Sequence, residues 1–277
     1  MAPRLATFLF LLTAAAATFP ALPGGPPAQS GSGLRVLNGG SWKPVEKGVE
    51  VRALLLERLD PRYSFELKLV RLDPRWVAPR LIHSSRYQLK GADVKTLAEK
   101  SGALAAVNGS YFDENGRALG FLKTGGREIN PAVSRSALLT GIFGVREGAP
   151  FIVHRDEFQP EGTEEAMQSG PLLLSRGRVL EPARGWGRAS RRAVIGVDEE
   201  QRLIVGVTDV LLGGAYWGEL QEIFSEKRWE LKTIDLLNLD GGGSAQLYLK
   251  ARGLESFVRG VAEIPVAIGF FARNGLP

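Results

Sequence analysis

The run Leu236-Leu237-Asn238-Leu239-Asp240-Gly241-Gly242-Gly243-Ser244-Ala245-Gln246-Leu247-Tyr248-Leu249 restricts the fold more than any other part of the chain. An apolar strand enters a carboxylate, three glycines and a hydroxyl, and then resumes as apolar sequence. Glycine lacks a Cβ, so the backbone there can take positive φ and approach a bound group closely. Successive glycine N–H groups can also form a nest that cradles an anion. The same residues also suit a plain glycine-rich turn between strands. Only the remainder of the chain can separate these readings.

The alternating segments around it call for a β-rich fold. Val49 to Leu56, and Phe65-Glu-Leu-Lys-Leu-Val-Arg-Leu72 within Tyr63 to Leu72, alternate apolar and polar residues as half-buried strands do. Asp73-Pro74 breaks that run, and Arg80 to His83 is a further short strand. Leu138 to Val145 pairs with Phe151 to His154 across Arg146-Glu147-Gly148, and Ala193 to Val197 pairs with Leu203 to Thr208. Gly260 to Phe271 closes the chain, with Pro265 pointing to an edge or irregular position. Two helices interrupt the strands. Ala92 to Gly102 carries its stripe on Val94, Leu97 and Ala98 and stops at Gly102. Gly218 to Trp229 has Leu220, Ile223 and Phe224 at helical spacing. The expected fold class is α+β, a single domain over residues 34–277 built on a curved mixed β-sheet with two principal helices.

Composition removes several chemistries. The chain has no cysteine, which excludes disulfides, zinc ribbons and thiol catalysis. Its two histidines, His83 and His154, sit apart in strand-like surroundings and read as structural. No Gly-x-Ser-x-Gly elbow accompanies either, which argues against a Ser-His-Asp hydrolase of peptide or lipid esters. A net charge of +5 is mild, and its basic residues are scattered without interleaved aromatics. No nucleic-acid partner is therefore expected, while an acidic glycan or a phosphodiester suits a positive surface. Arg4, the apolar run Leu5 to Phe19 and small residues at Ala14 to Ala17 read as a signal peptide over 1–22, followed by a flexible linker over 23–33. The expectation is a secreted or periplasmic protein with no stable membrane span after signal cleavage.

Four polar clusters share one form, an apolar strand ending in a small polar loop: Asn108-Gly109-Ser110-Tyr111-Phe112, Gln168-Ser169-Gly170-Pro171, Ser190-Arg191-Arg192 and the Asp240 glycine run. Buried amides, guanidinium and carboxylate groups are costly unless they pair with one another or face a ligand. In Gly102-Ala-Leu-Ala-Ala-Val-Asn-Gly-Ser-Tyr-Phe-Asp113, Gln168-Ser-Gly-Pro-Leu-Leu173, Arg192-Ala-Val-Ile-Gly-Val-Asp198 and Leu239-Asp-Gly-Gly-Gly-Ser244, taken in that order, the chain resembles the phosphodiester glycosidase family, whose bacterial members are often labelled exopolysaccharide biosynthesis proteins. Three positions depart from the family pattern. Ser110 stands where a second glycine is usual and Ala193 where threonine is frequent, and Asp209 is followed by Val210-Leu211 rather than Gly-Arg.

The resemblance implies hydrolysis of a sugar-1-phosphodiester. The departing phosphate then needs cationic and N–H donors, and the anomeric carbon needs a nearby carboxylate. The expected catalytic residues are Asp240, Asn108 and Arg192. Gly109, Gln168, Gly241, Gly242, Gly243 and Ser244 are expected to bind a carbohydrate or sugar-phosphate substrate, with Arg192 and the glycine amides on the phosphate. Lys123 is a weaker candidate whose surface reading prevails, and Tyr111, Trp186, Tyr216 and Trp217 could stack on sugar rings. No cofactor is expected. A divalent cation such as Ca²⁺ on Asp113, Asp209 and Asp240 is conceivable, but no dedicated binding loop accompanies them. The alternative to an enzyme is a non-catalytic glycan-binding or polysaccharide assembly factor that keeps the same pocket.

Overall fold

A computed structural model describes residues 33–181 and 188–273. The leader and linker expected at the amino terminus, and Trp186, lie outside these residues. Strand accounts for 50% and helix for 13%, which makes the domain richer in β structure than the expected α+β class. Every strand pairing among the described residues is antiparallel, and three open sheets replace the single mixed sheet. Sequential neighbours such as Val49–Leu59 and Arg62–Leu72 return through tight turns, and a hairpin can only be antiparallel.

The largest sheet has nine strands. Its order is Leu34–Gly39, Val49–Leu59, Arg62–Leu72, Leu203–Asp209, Ala193–Asp198, Thr233–Asn238, Leu172–Ser175 and Arg178–Val179, with Lys43–Glu46 also on Val49–Leu59. A second sheet runs Ala149–His154, Gly141–Arg146, Thr163–Ser169, Leu122–Thr124 and Arg127–Asn130. The third runs Leu254–Val258, Leu247–Ala251, Ala105–Asn108, Val266–Ala272 and Val77–His83.

Side-chain alternation explains the layering. Along Ala193–Asp198, the side chains of Ala193, Ile195 and Val197 enter a core shared with Phe143, Met167, Val107 and Ile268 of the smaller sheets. Val194 turns to the opposite face, where Leu67, Leu69 and Leu236 meet Leu220, Ile223 and Phe224. These last three belong to helix α2 (Trp217–Ser225). A strand covered on both faces must be apolar throughout, which is why these segments read as unbroken hydrophobic runs. Helix α1 (Val94–Ser101) covers the outer face of the third sheet, with Val94, Leu97 and Ala98 against Ala106, Tyr248 and Ala267. The Asp93 carboxylate caps its start by accepting from the Thr96 N–H at 2.7 Å, and Gly102 ends it at φ 78°.

Two local expectations change. Helix α2 stops at Ser225, and a separate 3₁₀ turn covers Lys227–Trp229. The closing strand lies inside its sheet, between Ala105–Asn108 and Val77–His83, rather than at an edge. Pro265 is tolerated because it just precedes that strand, where its carbonyl accepts from the Ser84 N–H at 2.8 Å. Among the described residues no helix is long and apolar enough to cross a membrane.

Candidate active site

Two strand ends create the site. Ala105–Asn108 of the third sheet and Thr233–Asn238 of the large sheet each finish in an asparagine with no exposed surface. An amide so placed must find partners within the protein. Asn108 donates from Nδ2 to the Asp240 carbonyl at 2.7 Å and accepts at Oδ1 from the Gln246 N–H at 3.0 Å. It therefore straps the two ends of the glycine loop to the third sheet. Asn238 donates from Nδ2 to the Tyr111 hydroxyl, the Gly170 carbonyl and the Leu239 carbonyl, at 3.0, 2.8 and 2.7 Å. Its Oδ1 accepts from the Trp217 indole N–H at 3.2 Å. The Asn238→Ala substitution leaves several buried groups without partners and is expected to cost about 2–4 kcal/mol, read as a lowered denaturation midpoint.

Asp240 follows immediately. Its N–H donates to the Gly109 carbonyl at 3.1 Å, and its own carboxylate accepts from the Gly241 N–H at 2.9 Å. Burial pushes its carboxyl above the usual range, opposed by the Ser244 hydroxyl and the Gly241 N–H. Gly242 holds φ at 58° and gives its N–H to the Arg191 carbonyl at 2.9 Å. A Cβ on Gly241 would stand 2.7 Å from that carbonyl, so only glycine allows the approach. The three-donor nest expected from sequence is thus largely spent internally. Only the Gly243 N–H has no partner among the described residues.

Arg192 lies across from this loop. Its guanidinium carbon sits 4.8 Å from the Trp217 ring centroid. Its Nε donates to the Ala215 carbonyl at 3.0 Å and its Nη2 to the Arg188 carbonyl at 2.8 Å. Burial lowers its proton affinity, opposed by Tyr111. Neither Arg192 nor Asp240 belongs to an ion pair among the described residues. Tyr111 connects them. Its hydroxyl donates to the Gly170 carbonyl at 2.9 Å. Burial and the negative charge of Asp240 raise its pKa well above the ordinary phenol value, and Arg192 pulls it back. One phenol therefore senses both charges.

The remaining expected residues separate. Gln168 is fully buried, and its amide is wholly engaged with backbone: Oε1 accepts from Phe121 and Val133, while Nε2 donates to Val133 and Leu139. It fastens the 131–139 loop and is not part of the Asp240 cluster. Gly109 gives its N–H to the Val266 carbonyl at 2.9 Å. Lys123 reaches the Pro160 carbonyl at 2.9 Å, away from the site, and Tyr216 stacks under Arg58. Asp209 pairs with Lys68 at 2.7 Å, and Asp113 accepts from the Asn115 and Arg117 N–H groups of its own turn. Among the described residues no three His, Cys, Asp or Glu side chains gather as a metal site would require. His83 and His154 each cap a short 3₁₀ turn. Three cavities lined by described residues lie elsewhere, and none includes Asp240, Arg192 or Tyr111.

Sequence reasoning gave Asn238 no role and Arg191 none of its own. Asn238 could have been found, because a polar residue closing an unbroken apolar strand demands partners. Arg191 is buried, with Nη2 donating to the Ala245 carbonyl at 2.8 Å and also to the Arg259 carbonyl. It braces the far side of the glycine loop.

Fold and site together define an antiparallel three-sheet domain that collects an arginine, a carboxylate and a phenol at converging strand ends. The chain belongs to the phosphodiester glycosidase family, whose profile matches residues 101–271. Its fold is similar to the catalytic domain of zebrafish N-acetylglucosamine-1-phosphodiester alpha-N-acetylglucosaminidase, a structure auto-inhibited by its pro-peptide. That match has a TM-score of 0.64 and 18% identity, covering 87% of this chain and 88% of the other. A Synechocystis protein is similar at TM-score 0.57 and 17% identity, with coverage of 82% and 62%. A Burkholderia pseudomallei protein described as exported is similar at 0.56 and 13%, with coverage of 75% and 74%. No curated protein matches the chain.

Proposed function

We propose that the chain is an exported hydrolase that cleaves the bond between a sugar's anomeric carbon and a phosphodiester oxygen. Water adds across that bond, so the products are a free sugar and a phosphate monoester. Arg192 and the Gly243 N–H bind the phosphate oxygens, and Asp240 acts at the anomeric carbon, as base toward water or as stabiliser of positive charge. A phosphate monoester leaves with little need for protonation, so one carboxylate suffices. Ser244 orients Asp240, and Asn108 acts as a positioning residue through the Asp240 backbone. Asn238, Tyr111 and Trp217 fix Arg192 relative to the loop.

The observation that carries this reading is the juxtaposition of Arg192 and Asp240. Each is largely removed from water, neither is in an ion pair among the described residues, and both act on one phenol. A protein that needed these charges only for stability would gain by pairing them directly. Family membership and the substrate class in the zebrafish enzyme's name favour the same chemistry.

Turnover of a chromogenic sugar-1-phosphodiester tests the proposal directly. Binding of a sugar phosphate without turnover would favour the glycan-binding or assembly reading instead. The pH profile adds a further check. Because Asp240 must be ionised to act and burial raises its pKa, activity falls as pH drops through that raised value. The acid limb of kcat/KM should therefore lie above the value near 3.9 of an exposed aspartate. A limb at or below that value would remove Asp240 from the role.

A further inference from the structure

Leu211, Leu212 and Val261 are exposed by 93%, 84% and 88%, while no other large apolar residue described as exposed passes 56%. Singly exposed aliphatics are ordinary on protein surfaces. These three are not scattered, because backbone contacts place them on both sides of the candidate site. The 209–215 loop meets Ser190 through reciprocal Ser190–Ala215 hydrogen bonds at 2.9 and 3.2 Å. Ser190 leads to Arg191, whose carbonyl accepts from Gly242, and Gly243 in turn accepts from the Val261 N–H at 2.8 Å. The order across the surface is therefore Leu211-Leu212, Arg192, the glycine loop, then Val261.

Both prominences are held in place by backbone rather than hanging loosely. Gly214 takes φ 126° with its Cβ position 2.1 Å from the Ser190 carbonyl, so no other residue fits there. The Tyr63 hydroxyl donates to the Leu212 carbonyl, and Val210 packs inward against the α2 core. On the other side, the Ala262 N–H also donates to Gly243, and its carbonyl accepts from Gln246 at 2.8 Å. The fold thus fixes the backbone of each loop while turning these aliphatic side chains into water, at an exposure cost that a purely internal site does not require. The leucines occupy the stretch after Asp209 where the chain departs from the family pattern.

We propose that this rim docks on a lipid bilayer carrying anionic headgroups, so that the site works on sugar-1-phosphodiesters anchored in that surface. Arg188 and Arg259, both exposed, stand beside the same two loops and supply charge complementarity to the headgroups. Nearby acidic charge is limited, since Asp209 is paired with Lys68 and Glu263 is the one exposed carboxylate next to Val261 in sequence. Aliphatic side chains entering the headgroup boundary with flanking arginines is the usual chemistry of interfacial binding. The docking surface stands on its own geometry. The anchored substrate rests on the hydrolase reading above.

The experiment uses the full chain and its Leu211→Ser, Leu212→Ser, Val261→Ser triple variant. None of these residues belongs to the catalytic or binding machinery. Sedimentation with vesicles of phosphatidylglycerol and phosphatidylcholine should show wild-type binding, weakened at least tenfold in the variant and by raised salt. Turnover of a water-soluble sugar-1-phosphodiester should be equal in both proteins, while that of a lipid-anchored one in the same vesicles falls at least tenfold in the variant. Equal vesicle binding by the two proteins overturns the proposal, as does no binding by wild type. A wild-type dimer that becomes monomeric in the variant also overturns it, in favour of a self-interface. If neither protein turns over the soluble substrate yet only wild type binds vesicles, the hydrolase reading fails and the docking surface stands.

Discussion

The Asp240→Asn variant is expected to lose about 10²–10⁴-fold in kcat/KM toward a sugar-1-phosphodiester while melting no earlier than wild type at pH 7. The amide cannot act as base or stabilise positive charge, which sets the first half, and the second follows from burial. Burial penalises the charged carboxylate, so the folded chain binds this proton more tightly than the unfolded chain does. Stability linked to the protonated form is fully present below the unfolded value and is lost as pH rises through the raised folded value. At pH 7 wild type therefore bears the cost of a buried charge, and the neutral amide relieves it. Asparagine can still accept from the Gly241 N–H at its Oδ1, so the loop keeps its shape. Thermal melts at pH 7 and below pH 4 check the sign, since the advantage of Asn should fade at the lower pH. A folded variant with wild-type turnover would remove Asp240 from catalysis.

Arg192→Ala should reduce kcat/KM by about 10²–10³-fold, the range for removing one preorganised donor to a developing anion. The guanidinium is already committed on two edges, through Nε to the Ala215 carbonyl and Nη2 to the Arg188 carbonyl, with its face on Trp217. What remains is Nη1, close to the glycine loop, where a Cβ on Gly241 would stand 3.8 Å away. Arg192→Lys should not restore activity, because an ammonium cannot hold both carbonyls, stack on the indole and still present a donor. Steady-state kinetics of both variants against one phosphodiester measures this. Recovery by lysine to within threefold of wild type would show that only a point charge is needed.

Local patterns carried much of the architecture. The stop at Gly102 and the stripe Val94, Leu97, Ala98 place α1, whose start lies two residues later than the expected Ala92. The hairpins Ala193–Asp198 with Leu203–Asp209 and Gly141–Arg146 with Ala149–His154 follow from short apolar runs separated by turn residues. Sheet membership was not legible. Whether strands join one sheet or three depends on contacts between segments more than a hundred residues apart, such as Val107 with Leu247. Individual side-chain duties were also hidden, because Gln168 and Asn108 have the residue types of ligand binders and spend every polar group on backbone.

The glycine run after Asp240 shows where the division lies. Sequence alone determined that this chain carries a carboxylate and three glycines at the end of an apolar strand, that an amide ends another, and that an arginine stands directly before a third. Those facts are covalent order and hydrophobic pattern, which no folding changes. Only the tertiary structure decided which glycine N–H groups stay available, since Arg191 and the Asp240 carboxylate take two of them and leave Gly243. It also decided that Arg192 stands unpaired near Asp240 rather than bonded to it, because the Asn238, Tyr111 and Trp217 network holds the two strand ends at a fixed separation. Such a separation is a property of packed sheets, and no local run of residues encodes it.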